Sequence, residues 1–388
     1  MASLIIAITY LAFISLGLPD SLLGSGWPVM YGELQVSISY AGIISMIIAG
    51  GTIVSSLLSD WMTRKFGTGP VTAVSTLLTA LALLGFSLSD SFWMLCLLGI
   101  PYGLGAGAIA AALNNYAALY FNARHMSWLH CFWGVGVSIS PYIMSYCLTG
   151  NLGWQSGYRF VSVIQMALAA FLFLSLPLWK KRPTEADAEI KPEKRTWGEI
   201  FRIPGVLLML VAFFGYCSIE TTAGLWASSY LVEYRGLDSE IAARFGSFFY
   251  LGITFGRFVC GFFSEKLGDH ALVRIGMSVM IFGAVLIILP LENDNFALAG
   301  LLILGFGGAP VYPSIIHSTP ASFGAENSQA IIGVQMACAY LGCTLMPPVF
   351  GALSDWISIG LYPFFLLAFA LLTLITAEKY RAKVAQKV

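Results

Sequence analysis

Charge is scarce in this sequence. Only 10% of its 388 residues are Asp, Glu, Lys or Arg, whereas about 25% is usual in soluble proteins, and 58% are hydrophobic. The 20 basic and 20 acidic side chains cancel, so net charge gives no basis for binding nucleic acid or an acidic partner. A chain of this composition indicates an integral membrane protein that is in contact with lipid.

Signatures of metal sites, disulfide frameworks and enzymes are also missing. The seven cysteines are odd in number, fall in apolar stretches and show no CxxC or Cys/His ligand spacing. No HExxH motif is present, and the strings GLGAGA and GFGGAP lack the Lys-Ser/Thr ending of a phosphate-binding loop. We expect no enzyme activity, no metal site and no cofactor beyond a coupling ion.

Long apolar segments are what the sequence does contain. Gly, Pro, Asn and charged clusters separate twelve of them, enough for twelve membrane helices of roughly 20 residues. They start near residues 3, 39, 70, 92, 126, 154, 204, 239, 271, 295, 328 and 360. The prediction is an all-α membrane protein with an N-terminal six-helix bundle (1–179), a polar linker (180–203) and a C-terminal six-helix bundle (204–388).

Lysine and arginine follow this division. If both termini and the linker lie in the cytoplasm, all but four of the 20 basic residues fall on inner segments, as the positive-inside rule requires. The four exceptions are Arg159, Arg235, Arg244 and Arg257. We therefore expect cytoplasmic termini and a plasma or inner membrane location.

The two halves contain matching motifs about 200 residues apart. Asp20 in the first helix corresponds to Glu220 in the seventh, and each is followed by glycine, tryptophan and tyrosine. The second helix ends in SDWMTRKFG and the eighth in SEKLG, while the fifth and eleventh both place glycine five residues before proline. Two homologous bundles of this kind are typical of a transporter with its cavity between the halves.

Several of these stretches resemble the major facilitator superfamily. GGTIVSSLLSDWMTRKFG is similar to the family's loop between helices 2 and 3. LPDSLLGSGWP, YCSIETTAGLWASSYL, GITFGRFVCGFFSEKLG and GFGGAPVYPSI resemble the branch that contains fucose permeases and sodium-dependent glucose transporters. The resemblance implies monosaccharide uptake by alternating access, coupled to a proton or sodium ion. Asp20 matches the essential acid of fucose permeases. Those proteins also use a glutamate in helix 4, but the helix 4 segment of this sequence contains no acid, and its closest polar candidates are Asn114 and Asn115.

Asp20 and Glu220 are the candidates for ion coupling. Charge at bilayer depth costs several kcal/mol, so such residues usually face a cavity or a partner. Desolvation favours the protonated form of a carboxyl group, which can then carry a proton across; with carbonyl oxygens freed by glycine or proline it can instead bind sodium. In the alternative interpretation, Asp20 caps a helix that Gly17 and Pro19 have broken, or meets outer water.

Substrate contacts and gates are predicted from residue type. A sugar needs an aromatic face for its C–H surface and amide or carboxylate groups for its hydroxyls. The candidates for substrate contact are Trp27, Asn114, Asn115, His130, Trp226, Tyr312 and Gln335. Alternatively, these side chains face lipid or pack between helices, and His130 could instead serve as a proton relay. Gating ion pairs at the cytoplasmic side are expected from Asp60, Arg64, Arg257 and Glu265, with topological retention as the alternative for Arg64 and Lys65.

The sequence thus predicts a secondary active transporter for a small polar solute, a monosaccharide of the fucose, galactose or glucose type, moved with H⁺ or Na⁺. A proton-coupled exporter of drugs or metabolites is the alternative, and a receptor that kept the fold without transporting is another. The partners expected are the substrate and membrane lipid, with the monomer as the functional form.

Overall fold

The computed structural model describes residues 2–37, 40–179, 196–237, 248–289 and 293–385. Within them every regular element is a helix and no strand occurs, as the sequence predicts. The α-helices of the first part are α1 Ala2–Gly17, α2 Leu22–Glu33, α3 Ala41–Phe66, α4 Thr68–Ser87, α5 Phe92–Tyr120, α6 Ala123–Thr149 and α7 Gly153–Ser175. Those of the second part are α8 Trp197–Arg202, α9 Val206–Glu233, α10 Phe248–Leu267, α11 Asp269–Ile288, α12 Asn295–Gly308, α13 Val311–His317, α14 Thr319–Phe323, α15 Ala325–Trp356 and α16 Tyr362–Ala385.

Eleven segments of the described residues are long and apolar enough to cross a membrane. The remaining predicted helix, the eighth, is α10, whose charged residues Arg257, Glu265 and Lys266 lower its mean hydropathy. Its predicted start near residue 239 lies outside the described residues, as does most of the predicted linker. Large apolar side chains such as Trp93 and Leu174 are more than two-thirds exposed, an arrangement that suits contact with lipid.

Among the described residues, two membrane segments are interrupted part-way. The first consists of α1 and α2, separated by Leu18 to Ser21, which confirms that the helix opens beside Asp20. The other consists of α12 and α13, separated by Ala309 and Pro310 in the GFGGAPVYP stretch. Proline produces such interruptions because it lacks the N–H that continues a helix.

The described helices cluster into two compact units. The first comprises residues of Met1–Tyr116, Leu129–Pro192 and Ile332–Ala337, and the second those of Ala117–Trp128, Glu193–Ile331 and Cys338–Val388. The first unit has an apolar core around Leu22, Trp27 and Tyr158. The bundle boundaries read from the sequence, at residues 179 and 204, stay a prediction.

The internal repeat is visible in the backbone at one pair of helix ends. Gly67 follows α3 with φ 85° and ψ 159°, and Gly268 follows α10 with φ 74° and ψ 158°. Positive φ is available to glycine at little cost, so both glycines permit a sharp turn into the next helix. The motifs SDWMTRKFG and SEKLG therefore end in the same local conformation.

Candidate functional site

Asp20 lies in the interruption between α1 and α2, with its side chain exposed. The Trp133 indole Nε1–H donates a hydrogen bond of 3.0 Å to Asp20 Oδ2. The Tyr102 hydroxyl donates to Oδ1 over a longer 3.4 Å, and is therefore the weaker of the two contacts. Residues from three membrane segments of the first unit thus converge on one carboxylate.

The interruption leaves few backbone groups open. Asp20 N–H donates to the Gly17 carbonyl and Leu22 N–H to the Pro19 carbonyl, both at 3.2 Å, which makes tight turns on each side of the carboxylate. The Leu18 carbonyl accepts the hydroxyl of Ser140, and the Ser21 hydroxyl donates to the Val137 carbonyl at 2.7 Å. Ser140 on α6 therefore satisfies a carbonyl of the interruption, and Ser21 in the interruption satisfies a carbonyl of α6 in return.

Two glycines allow α1 and α6 to approach closely beside this site. A Cβ at Gly17 would collide with the backbone carbonyl of Trp133, and one at Gly136 would collide with the carbonyl of Ile14. Close approach between membrane helices commonly depends on such small residues. The backbone contact holds the turn that bears Trp133 against the end of α1, close to Asp20.

The second candidate carboxylate, Glu220, forms an ion pair. Arg257 Nη2 on α10 lies 3.1 Å from Glu220 Oε1 on α9, and their side chains are only 5% and 18% exposed. Tyr216 and Tyr312 interact electrostatically with this pair, and the Tyr250 ring packs where Gly224 leaves room, one turn beyond Glu220. In contrast to the segment that contains Asp20, the helix α9 continues unbroken past Glu220.

The predicted gating residues divide into three separate contacts. Arg257 pairs with Glu220, while Glu265 lies two turns further along α10. Glu265 instead accepts from Arg124 Nη2 at 3.0 Å and from Asn122 Nδ2 at 2.5 Å.

Asp60 and Arg64 form an i,i+4 pair of 2.8 Å at the end of α3, where Lys65 lies over the rings of Trp61 and Phe66. Their gating roles stay predictions.

The predicted substrate-contact residues of the first unit are buried. Trp27 is 5% exposed in the apolar core, and His130 is packed edge-on against Phe13 with ring centroids 5.3 Å apart. Asn115 and Gln335 are likewise buried. Asn114 Nδ2 donates to the Ala110 carbonyl at 2.8 Å, while its Oδ1 is buried with no hydrogen-bond partner among the described residues.

In the second unit, the two predicted aromatic contacts are partly used in packing. Trp226 Nε1 donates to the Pro347 carbonyl at 3.0 Å, and its ring meets Phe350 at 5.5 Å. The ring of Tyr312, at the start of α13, is tilted against that of Phe213 with centroids 4.7 Å apart, and lies 6.4 Å from the ring of Tyr216 beside the ion pair. As substrate ligands, all seven residues remain predictions.

Comparison with known proteins places this arrangement in a family. The model of the Major Facilitator Superfamily matches residues 9–347 and, in a second match, residues 245–385. The chain belongs to the Major Facilitator Superfamily. Membership identifies it as a multi-pass membrane transporter and not an enzyme, as its sequence predicts.

Relatives within the superfamily carry different substrates. The chain is 24% identical over 379 residues to the cis,cis-muconate transport protein of Acinetobacter baylyi, covering 91% of this chain and 87% of that protein. It is 21% identical over 313 residues to the glucose/mannose transporter GlcP of Bacillus subtilis, covering 78% and 77%. The expected resemblance to sugar transporters is confirmed, and an organic-acid transporter is similar as well.

A solved structure shows the same superfamily fold. FucP, crystallised in the outward conformation, matches with a TM-score of 0.82 over 97% of this chain and 98% of that chain, at 15% identity. At that identity the likeness extends to the fold alone. The expected two-bundle fold of the superfamily, with all elements helical, is thereby confirmed.

Trp133 and Tyr102 are the site residues that sequence reasoning did not select. Trp133 lies in SWLHCFWGVG, directly before the glycine-rich stretch of the fifth predicted helix. A glycine-rich stretch indicates a close contact between helices, and its position next to Trp133 is the sequence feature that could have pointed to this residue. Tyr102 follows Pro101 within α5 and carries no comparable signal, because aromatic residues in membrane helices commonly face lipid.

Proposed function

We propose that this superfamily member is a proton-coupled secondary transporter for a small hydroxylated solute, with a monosaccharide as the simplest candidate. The main support is the environment of Asp20, an exposed carboxylate in a helix interruption that accepts hydrogen bonds from one N–H and one O–H donor. Such a carboxylate can exchange its protein donors for water, a proton or a substrate hydroxyl as its surroundings change.

A proton suits this site better than sodium. A hard cation requires several oxygen lone pairs around it. At Asp20 the nearer partner is an indole N–H, which has no lone pair to offer and points a partially positive hydrogen at the carboxylate. The carbonyls of Gly17, Leu18 and Pro19 already accept hydrogen bonds. A cation at Asp20 would have to share these carbonyl oxygens with their present donors, whereas a proton adds to one carboxylate oxygen.

Asp20 is also better suited to proton exchange than Glu220. Protonation of Glu220 would remove the counter-ion of Arg257, and an uncompensated buried charge is costly. The partners of Asp20 are neutral, so its protonation leaves no charge unpaired. We therefore assign coupling to Asp20, and to Glu220 the task of keeping Arg257 neutralised.

Hydroxyl groups match the donors and acceptors of this site. A sugar hydroxyl both donates and accepts, so it can donate to Asp20 while it accepts from Trp133 or Tyr102. The buried Oδ1 of Asn114 is a further acceptor in the first unit. GlcP, a glucose/mannose transporter, and FucP, a fucose:proton symporter, are similar to this chain. These relatives favour hexoses in the first substrate panel.

An organic acid is the second candidate substrate, and the buried Arg257 favours it. A substrate carboxylate could take the place of Glu220 at this guanidinium and form two parallel hydrogen bonds. The relative named for cis,cis-muconate transport carries a dicarboxylate. The two candidates differ in the unit that recognises the substrate: Asp20 in the first for a sugar, Arg257 in the second for an acid.

The remaining assignments follow the charge distribution. We propose a plasma or inner membrane location, cytoplasmic termini and a functional monomer, with uptake as the direction and export as the alternative. The support is the concentration of Lys and Arg on the segments that would then be cytoplasmic.

Uptake into proteoliposomes tests the proposal. Fucose, galactose, glucose and a dicarboxylate are each offered under an imposed pH gradient or sodium gradient. We expect one hexose to accumulate with the pH gradient, and Asp20→Asn to abolish accumulation while exchange of substrate across the membrane continues.

Asp90→Asn, which alters an exposed loop carboxylate, is the control and should behave as wild type. Accumulation by Asp20→Asn would overturn the coupling assignment, and uptake of the dicarboxylate alone would replace the sugar.

A further inference from the structure

His317 connects three segments of the second unit. It is the last residue of α13, and its Nδ1 lies 2.7 Å from Oδ2 of Asp269, the first residue of α11. Its Nε2 lies 3.0 Å from the backbone carbonyl of Phe121, just beyond α5. Both side chains are largely shielded, with 20% of His317 and 15% of Asp269 exposed. The site lies on different elements from Asp20 and Glu220.

Both ring nitrogens of His317 lie within hydrogen-bond distance of an oxygen atom. A neutral imidazole has one N–H and one lone pair, yet His317 faces a carbonyl oxygen at one nitrogen and a carboxyl oxygen at the other. A carbonyl cannot donate, so Nε2 must carry hydrogen. At 2.7 Å a second hydrogen must lie between Nδ1 and Oδ2, because two lone pairs would repel there. The pair therefore holds one proton more than a neutral histidine beside a carboxylate.

The position of Asp269 shows where that proton resides. A carboxylate in the first turn of a helix is stabilised in its ionised form by the N-terminal backbone dipoles. Asp269 therefore remains an anion and His317 is the imidazolium, with both ring nitrogens donating. The ring then joins α11 and α13 to the segment after α5 through two charge-assisted hydrogen bonds.

We propose that His317, Asp269 and the Phe121 carbonyl form a proton-binding site that fastens residues 117–128 to the ends of α11 and α13. Its ligand is the proton itself, bound apart from the coupling carboxylate. When His317 loses this proton, one of its nitrogens must present a lone pair to an oxygen lone pair. One contact then becomes repulsive, and the attachment of residues 117–128 weakens as pH rises.

Other charged and titratable groups near the site largely compensate one another. On α11 and α16, Arg274 and Arg381 pair with Glu378, and the His270 ring is tilted against that of Tyr380 with centroids 5.6 Å apart. Tyr380 also interacts with Asp269 and bonds the hydroxyl of Ser322 at 2.6 Å. On α6 and α10, Arg124 pairs with Glu265, with His125 nearby. Asp269 is the carboxylate in contact with His317, so their shared proton governs this attachment.

Imidazole nitrogen NMR measures the protonation state directly. The chain contains four histidines, so the ring of His317 in the ¹⁵N-histidine-labelled protein can be assigned through the loss of its signals in His317→Gln. If that variant fails to fold, the signals that shift in Asp269→Asn identify the ring. We expect both His317 nitrogens to be protonated at pH 7.5, where an exposed histidine is mostly neutral. A neutral ring with an ordinary titration would overturn the proposal.

Hydrogen exchange then measures the attachment. In the wild type, amide protection of residues 117–128 should fall roughly tenfold between pH 6 and pH 8, after correction for intrinsic exchange, as proton linkage implies. Asp269→Asn should lose this pH dependence, because an amide N–H can donate to Nδ1 of a neutral ring that still donates to Phe121. His270→Gln, one residue away, should keep it. A pH-dependent change of wild-type size in Asp269→Asn would contradict the proposed site. These tests leave the assignment of Asp20 unaffected.

Discussion

The two intramembrane carboxylates have opposite environments at the scale of single residues. Asp20 is exposed and accepts from two neutral groups, whereas Glu220 is shielded and accepts from a guanidinium. A neutral environment permits a carboxylate to gain and lose a proton, whereas a buried ion pair resists the loss of either charge. The acids that correspond in the sequence repeat therefore differ in chemistry.

A double-mutant cycle on Glu220 and Arg257 tests the buried pair. Glu220→Gln or Arg257→Gln alone leaves one shielded charge unpaired, and each should cost about 3–5 kcal/mol of stability. The double variant should cost less than either, because neither charge then remains. Apparent melting temperature in detergent is the measurement.

The exposed pair of Arg274 and Glu378 supplies the control for this cycle. Glu378→Gln should leave the melting temperature nearly unchanged, since exposed ion pairs contribute little. Additive effects of Glu220→Gln and Arg257→Gln would show that the two side chains do not form a pair.

Single residues also mark the limit of what the sequence predicts. Intramembrane charged residues stand out because charge is rare there, so the sequence alone identifies Asp20, Glu220 and Arg257. It does not identify their partners, because pairing depends on how helices rotate and cross. Arg257 was expected to act with Glu265 in the same helix, yet it faces Glu220 on a neighbouring one. Trp133 and Tyr102 belong to a residue class too common in membrane helices to be singled out.

At the scale of elements, the membrane segments differ mainly in whether their helix is continuous or interrupted. Predicted helix starts that fall within the described residues agree with the structure within about three residues, because polar and glycine-rich breaks are clear against apolar runs. The interruption at Pro19 was also predictable. The continuity of α9 through Glu220 was not, since a repeat in residue type does not require a repeat in backbone conformation.

Substitution of Gly17 tests the close contact between α1 and α6. Gly17→Ala forces the two backbones apart, and overpacking of this kind should cost about 1–3 kcal/mol and displace Trp133 from Asp20. Melting temperature and transport should fall together. Gly24→Ala is the matched control on α2, because a Cβ there meets no heavy atom of the described residues within 4 Å. Equal effects of the two substitutions would argue against the contact.

Charge distribution governs the orientation of the whole molecule. We predict that reporter domains fused at either terminus, or inserted near residue 190, are active only on the cytoplasmic side. The linker and the C-terminal segment carry 11 of the 20 Lys and Arg, and twelve predicted helices place the N-terminus on the same side as the C-terminus. Insertions near residue 90 and residue 151, in outer loops of this topology, should show the opposite pattern and serve as controls. Reporter activity of the two termini on opposite sides would exclude the proposed orientation.

The carbonyl of Phe121 has a consequence for how the sequence can diverge. A backbone acceptor persists whichever side chain occupies position 121, so substitution there need not remove this bond to His317. Positions 269 and 317 are more restricted, since the hydrogen bond between them joins their two side chains. Among descendants of a common ancestor, we therefore expect drift at position 121 and paired replacement at the other two.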